Sequence, residues 1–421
     1  MFPLPLCLRV LVALRSDLSM AAKKMLPGTS DVRLSIDLEA VGRFLSAATE
    51  TTLRFTSARQ FNAGQSNPTY LLESADGKPI VVRRQPAGRL LPSAHDVARE
   101  YRVISALRDT AVPVPRVLAQ CADKSVWDGV QWYAMEFVAG EVMQDDTLPE
   151  ASPADRRALW LDAARVLATM HSLDHRAIGL GAHGKPGGGY AQRQVKSWAR
   201  SFRAVDEYVR KAATSEWAEA AGCEGMLAEL SEASDGMARL EGLLAAGMAE
   251  HVGPPEKEPT CLVHGDYRLG NVITARGPDG ALGVAAVLDW ELSTLGHPLC
   301  DLAYFMGSYN SPRWMGGFRT DAEDAAGGSL VLPPGTPSPD EIIDLYCRVR
   351  GVPRPSEATF HFFLALTWHR KAGIMYGVLA RAMQGNASAT SAAQVGLSGF
   401  CSSVQEALRS VERAGVQRSK L

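Results

Sequence analysis

Three oxygen-bearing side chains stand at spacings that chemistry can use. In LVHGDYRLGNVI, residues 262 to 273, Asp266 follows an apolar run, and Asn271 comes five residues later, just before a second run. A further carboxylate, Asp289, directly follows the apolar VAAVL. An Asp at a strand end, an Asn, a short return strand and a second strand-end Asp bring all three into one neighbourhood. Oxygen donors from Asn271 and Asp289 suit Mg2+, and Asp266 is placed to orient a hydroxyl and take its proton. Phosphoryl transfer from ATP needs both functions. Each Asp or Asn alone reads as an ordinary turn residue. HGD, Asn271 and the DWE of residues 289 to 291, in that order, are not what turn chemistry alone produces.

Other chemistries have less behind them. The seven cysteines are odd in number and scattered, with no CxxC pair, which fits a reducing compartment better than a disulfide framework. Cys261 and His264 form a CxxH without the second half of a zinc site. His171 and His175 lie one helical turn apart but lack the Glu of a metalloprotease helix. A formal charge of −2 gives no electrostatic footprint for nucleic acid or an anionic membrane. No apolar run reaches the roughly 18 residues that span a bilayer.

The elements that must position these side chains fall into two textures. Residues 35 to 48 have helical spacing, and RFTSARQF, TYLLES and PIVVRR then read as strands. The last two are joined by a hairpin turn with Asp-Gly at its centre, the first two by the loop NAGQSNP. Ser93 is expected to cap an amphipathic helix running to Asp109, and RVLAQC and VQWYAMEFV complete a small sheet. From Pro153 the pattern is helical: 153 to 173, roughly 192 to 250, and 356 to 383, with β signals only in CLV, NVIT and VAAVLDW. Residues 181 to 190 and 324 to 340 carry the Gly and Pro of loops.

HGDYRLGN with LDWELSTLGHPLCDLAY resembles the aminoglycoside phosphotransferase (choline kinase-like) branch of the protein-kinase-like fold. The resemblance implies an α+β, two-lobed architecture: a small antiparallel β N-lobe over 31–140 and a larger, mostly helical C-lobe over 141–416. It implies ATP and Mg2+ as cofactors, Asp266 as catalytic base, and Asn271 and Asp289 as metal ligands. His264 and Asp301 then support the catalytic loop from behind. Arg83 stands where kinases place a phosphate-binding Lys, with Glu100 on the next helix as its partner. Gly64, Gln65, Ser66 and Asn67 fall in the nucleotide-covering loop, and Glu136 and Val138 where a hinge offers backbone groups to adenine. The Arg and a loop with a single Gly keep open a catalytically silent, nucleotide-binding or acyl-CoA-binding scaffold.

A narrower resemblance, in FNAGQSNPTY, RRQPAGRLLPSAHDVAREYRVISAL and YGVLARAMQGNAS, is to the kinase-like domain of acyl-CoA dehydrogenase family members ten and eleven. It implies a hydroxyacyl-CoA acceptor in fatty-acid catabolism; an aminoglycoside, choline-like or sugar hydroxyl is the alternative. His369, Arg370, Lys371 and Arg381 amid Phe, Leu and Trp suit an acyl-CoA better than a polyamine. The segment 1–30 reads as an N-terminal extension with a targeting texture. Within the tail 417–421, Ser419, Lys420 and Leu421 match the tripeptide read by the peroxisomal import receptor. The expected location is the peroxisome, with mitochondrion or cytoplasm as the alternative.

Overall fold

In the computed structural model, which describes residues 29–30, 32, 36–61, 67–74, 77–86, 96–123, 125–185, 188–319, 331–385 and 391–416, the alternating runs of the first third form one sheet. Its strands are β1 (Thr29–Ser30), β2 (Phe55–Phe61), β3 (Thr69–Ser74), β4 (Ile80–Arg84), β5 (Val117–Cys121) and β6 (Trp132–Glu136). Their order is β1-β2-β3-β4-β6-β5, every neighbouring pair antiparallel. The central strands bury both faces, which is why PIVVRR and WYAM read as near-continuous apolar runs. One face carries Tyr70, Leu72, Ile80, Val82, Trp132 and Ala134 against Val41 and Leu45 of helix α1 (Leu38–Thr49). Each large side chain buried there contributes about 2 kcal/mol. The other face carries Arg83 opposite Tyr133 and receives α2 (Val97–Leu107).

Helix α2 begins later than its sequence pattern implied. Its N-cap is Asp96, whose carboxylate accepts from the Arg99 N–H, and Ser93, the expected cap, lies outside the described residues. Gly64, Gln65, Ser66, the segment 1–28 and the Ser419–Leu421 tripeptide also lie outside them.

The chain divides into two packed units. The first joins the sheet to α3 (Pro153–His171), the hairpin of β8 (Val272–Arg276) and β9 (Leu282–Val287), and the helix Pro339–Arg350. Ser152 caps α3, and Asp162 on α3 accepts from the Val284 N–H of β9 at 2.8 Å. His171 Nδ1 meets the Tyr346 hydroxyl at 2.7 Å, tying α3 to the helix Pro339–Arg350.

The second unit is largely helical. It contains β7 (Cys261–Val263) paired with β10 (Thr294–Gly296), then α4 (Tyr190–Ala212), α5 (Ser215–Ala221), α6 (Leu227–His251) and α7 (Pro298–Phe305). The region read as roughly 192 to 250 is thus three helices. Continuing the numbering, Pro339–Arg350 is α8, and the second unit ends in α9 (Glu357–Met383) and α10 (Ser391–Arg413). No side chain of its own caps the start of α4; Glu258 does so from a distant loop, accepting from the N–H groups of Tyr190 at 2.7 Å and Ala191 at 3.0 Å. The two runs of LVHGDYRLGNVI are both strands, but they belong to different two-stranded sheets, β7 with β10 and β8 with β9. No helix among the described residues is long and apolar enough to cross a membrane.

Candidate active site

The turn after His264 is built around its tautomer. His264 Nε2 lies 2.8 Å from the Leu288 carbonyl, and His264 Nδ1 lies 3.2 Å from the Asp266 backbone N–H. A carbonyl only accepts and an N–H only donates, so these partners place the ring proton on Nε2. His264 thereby ties the Asp266 backbone to the strand end that leads into Asp289. Gly265 takes φ +83°, and a Cβ there would fall 2.7 Å from the Leu292 carbonyl oxygen. Only glycine fits both demands.

Asn271 then locks Asp266. Its Nδ2 donates at 2.7 Å to both the Asp266 carbonyl and Asp266 Oδ2. These bonds orient the amide and leave Oδ1 as its acceptor end. The Leu288 N–H donates to the Asn271 carbonyl at 2.8 Å, so β8 and the end of β9 hold the three oxygen-bearing residues in one frame. Asp289 leaves that strand end with φ 63° and ψ 62°, a left-handed conformation costly for a non-glycine residue. It turns the chain into the short 3-10 segment Trp290–Leu292, which Arg99 of α2 fastens by donating to the Ser293 carbonyl at 2.6 Å.

Arg83 joins the sheet to this frame. Its Nε lies 2.9 Å from Glu100 Oε2 and its Nη2 lies 2.7 Å from Asp289 Oδ1. The expected pairing with Glu100 is present, and the bond to Asp289 is additional. Glu100 also accepts from Asn67 Nδ2 at 2.6 Å and from the Tyr133 hydroxyl at 3.2 Å. Burial pushes the Glu100 carboxyl up, to about 7, and Arg83 limits the rise. Burial works against the Arg83 charge, but Glu100 and Asp289 outweigh it and raise the guanidinium above its ordinary value. Tyr133 is likewise pushed well up by burial and by Glu100.

The remaining positions spread more widely. Asn67 is fully buried and donates its amide to Glu100. Glu136 closes β6 on the surface, where its N–H donates to the Arg116 carbonyl. Asp301 is buried on α7 in the second unit. The structure adds Glu291, whose carboxylate shares a neighbourhood with those of Glu100 and Asp289, all within 4.8 Å of one another. DWE was visible in the sequence, but spacing alone did not show that Glu291 turns toward Glu100. Tyr133 was missed as well; its signal is the cross-strand register that sets it opposite Arg83.

The donor set suits a hard divalent cation: the Asn271 amide oxygen and the Asp289 carboxylate, with Glu291 nearby and no thiolate among them. Beside it stand a locked carboxylate, Asp266, and a buried guanidinium. The profile of the Phosphotransferase enzyme family matches residues 57–341. The chain belongs to that family.

Other similarities agree with this membership. The chain is 39% identical over 374 residues to acyl-CoA dehydrogenase family member 11 of Gallus gallus, covering 87% of this chain and 42% of that protein. It is 35% identical over 376 residues to acyl-CoA dehydrogenase family member 10 of Mus musculus, covering 88% and 31%. It therefore spans less than half the length of these relatives. A crystallised candidate aminoglycoside phosphotransferase from Ralstonia eutropha superposes with a TM-score of 0.68 at 34% identity, over 90% of this chain and 99% of that one. The phosphotransferase family membership and these likenesses establish the kinase-like fold, with an antiparallel sheet in the N-lobe and a helical C-lobe.

Proposed function

We propose that this phosphotransferase moves the γ-phosphate of ATP to the hydroxyl of a hydroxyacyl-CoA. The observation that carries the reaction type is the paired lock: Asn271 on Asp266, and Arg83 on Asp289. Asp266 orients the acceptor hydroxyl and takes its proton, while Asn271 Nδ2 keeps the carboxylate from rotating away. Arg83 directs donors toward the phosphates, and Glu100, itself held by Asn67 and Tyr133, pairs with the guanidinium by charge. Asn271 Oδ1 and Asp289 would hold Mg2+, which when bound neutralises phosphate charge. Val138, whose backbone makes no hydrogen bond among the described residues, would offer it to adenine.

Two observations support an acyl rather than a polyamine acceptor. Both vertebrate relatives carry acyl-CoA in their names. Leu292, about half exposed, stacks against the turn at Gly265 and sets apolar surface beside Asp266. Of the basic residues on α9, Arg370 lies over Tyr304 and Lys371 over Trp368, whereas His369 is buried, and burial lowers it to about 4. His369 therefore adds no cation to α9 at neutral pH.

The test combines a variant with an acceptor screen followed by phosphorus NMR. Wild-type chain with Mg2+ and ATP is expected to give a phosphomonoester signal with hydroxyacyl-CoA and none with kanamycin or choline. Asp266→Asn is expected to lose transfer by about 10³-fold, within the range of a general base, and to keep its ATP affinity. Full turnover by that variant would sink the assignment of Asp266. Signal with an amine-bearing acceptor alone would move the acceptor to that class. No magnesium-dependent ATP consumption with any acceptor would favour a silent scaffold.

A further inference from the structure

Glu100, Asp289 and Glu291 gather three carboxylates within 4.8 Å of one another, a charge that would draw in a free divalent cation. The chain supplies its own cation there. The Arg83 guanidinium binds Asp289 Oδ1 through Nη2 and Glu100 through Nε, with its side chain only 10% exposed. Among the described residues Arg83 has no other hydrogen-bond or ion-pair partner, so Nη1 is engaged by neither carboxylate. A Lys in its place would carry one compact ammonium at the end of a flexible stem. The planar fork of Arg reaches both acids at once.

We infer that Arg83 holds the Asp289 carboxylate against free divalent cations, so that metal enters this chain together with the phosphates of a nucleotide. The inference rests on the proposed role of Asp289 as metal carboxylate and deepens it. A cation bound at Asp289 Oδ1 without phosphate would sit beside the guanidinium, like charge against like charge, and Glu100 keeps that guanidinium from swinging clear. Phosphate oxygens remove the conflict. They would supply negative charge for the metal and an acceptor for Nη1, so that guanidinium and metal would no longer compete for Asp289. The departure from Lys at position 83 is then a device for taking the metal–nucleotide complex as a unit.

The test is a titration of the full chain with Mn2+ alone, free ion read by electron paramagnetic resonance, without nucleotide and without turnover. Arg83→Gln, which removes the charge and keeps a polar side chain, is expected to bind Mn2+ at least tenfold more tightly than wild type. Asp289→Asn in that background is expected to abolish the gain. Equal affinity of wild type and Arg83→Gln overturns the inference. A gain that survives Asp289→Asn overturns instead the reading of Asp289 as metal carboxylate, which keeps the two failures apart. If Arg83→Gln does not fold, as judged by circular dichroism, Arg83→Lys takes its place. Its single ammonium cannot span both acids, so a gain of about threefold is expected, and no gain overturns the inference.

Discussion

Gly265 shows how much of this site is decided by single residues. With φ +83° and a virtual Cβ 2.7 Å from a backbone oxygen, any side chain there must push the Leu292 carbonyl away from the turn that carries Asp266. Gly265→Ala is expected to lose about 1 to 3 kcal/mol of stability, the cost of a strained left-handed residue, and at least tenfold in turnover. Urea midpoints and initial rates on the same preparation check both; wild-type turnover would show that the turn tolerates the shift. The sequence made the oxygen-bearing residues legible because chemistry fixes their types and order. It also announced the Arg83–Glu100 pair, because a strand cation and a following helix acid have few other uses when buried. It was silent on Tyr133, Glu291 and Leu292. Their parts depend on cross-strand register and on the direction the chain takes after Asp289, and neither is encoded in local spacing.

Among the elements, long patterns were legible and their ends were not. Ser93 and Asp96 both suit an N-cap by residue type, and the helix is capped by Asp96. The loop read over 324 to 340 ends at Ser338, where Ser338 and Glu341 form a capping box that opens α8. The last helix, α10, lies in the stretch expected to be mostly helical but was not singled out as an element, and it is rich in Gly and Ser. That composition has a packing reason. A Cβ on Gly396 would lie 2.7 Å from the Leu379 backbone nitrogen, so the small residues let α10 approach α9 closely. Gly396→Ala would gain up to about 1 kcal/mol of helix propensity but is expected to lose more by forcing the helices apart, for a net loss of about 1 kcal/mol. Gly377→Ala on α9 meets only the far end of Arg381, at 3.6 Å, and is expected to gain by about the propensity term. Thermal melts of the two variants should move in opposite directions; two shifts of the same sign would refute the packing account.

At the scale of the whole molecule, two buried groups set opposing slopes of stability with pH. Glu100 has a folded pKa of about 7 against 4.5 for the free side chain. Its folded form keeps a proton that the unfolded chain gives up, so its contribution to stability is lost as pH rises between those values. His369, near 4 against 6.5, does the reverse and adds stability as pH climbs through that window. Where the windows overlap the two cancel in part, each with a slope of at most about 1.4 kcal/mol per pH unit. Glu100→Gln is therefore expected to steepen the rise of stability from pH 4.5 to 6.5. Urea titrations at four pH values check it, and parallel curves for wild type and variant would reject the shifted Glu100.

The interleaved division of the chain bears on how it is made. The first unit is assembled from Met1–Gly181, His264–Thr294 and Leu332–Gly351, with segments of the second emerging between them. Arg83 and Asp289 are 206 residues apart. At a synthesis rate of about 5 to 20 residues per second, Arg83 and Glu100 wait roughly 10 to 40 seconds on the ribosome for their third partner. Through that interval the nascent sheet carries an unfinished polar centre, and neither the first nor the second half of the gene encodes all of it.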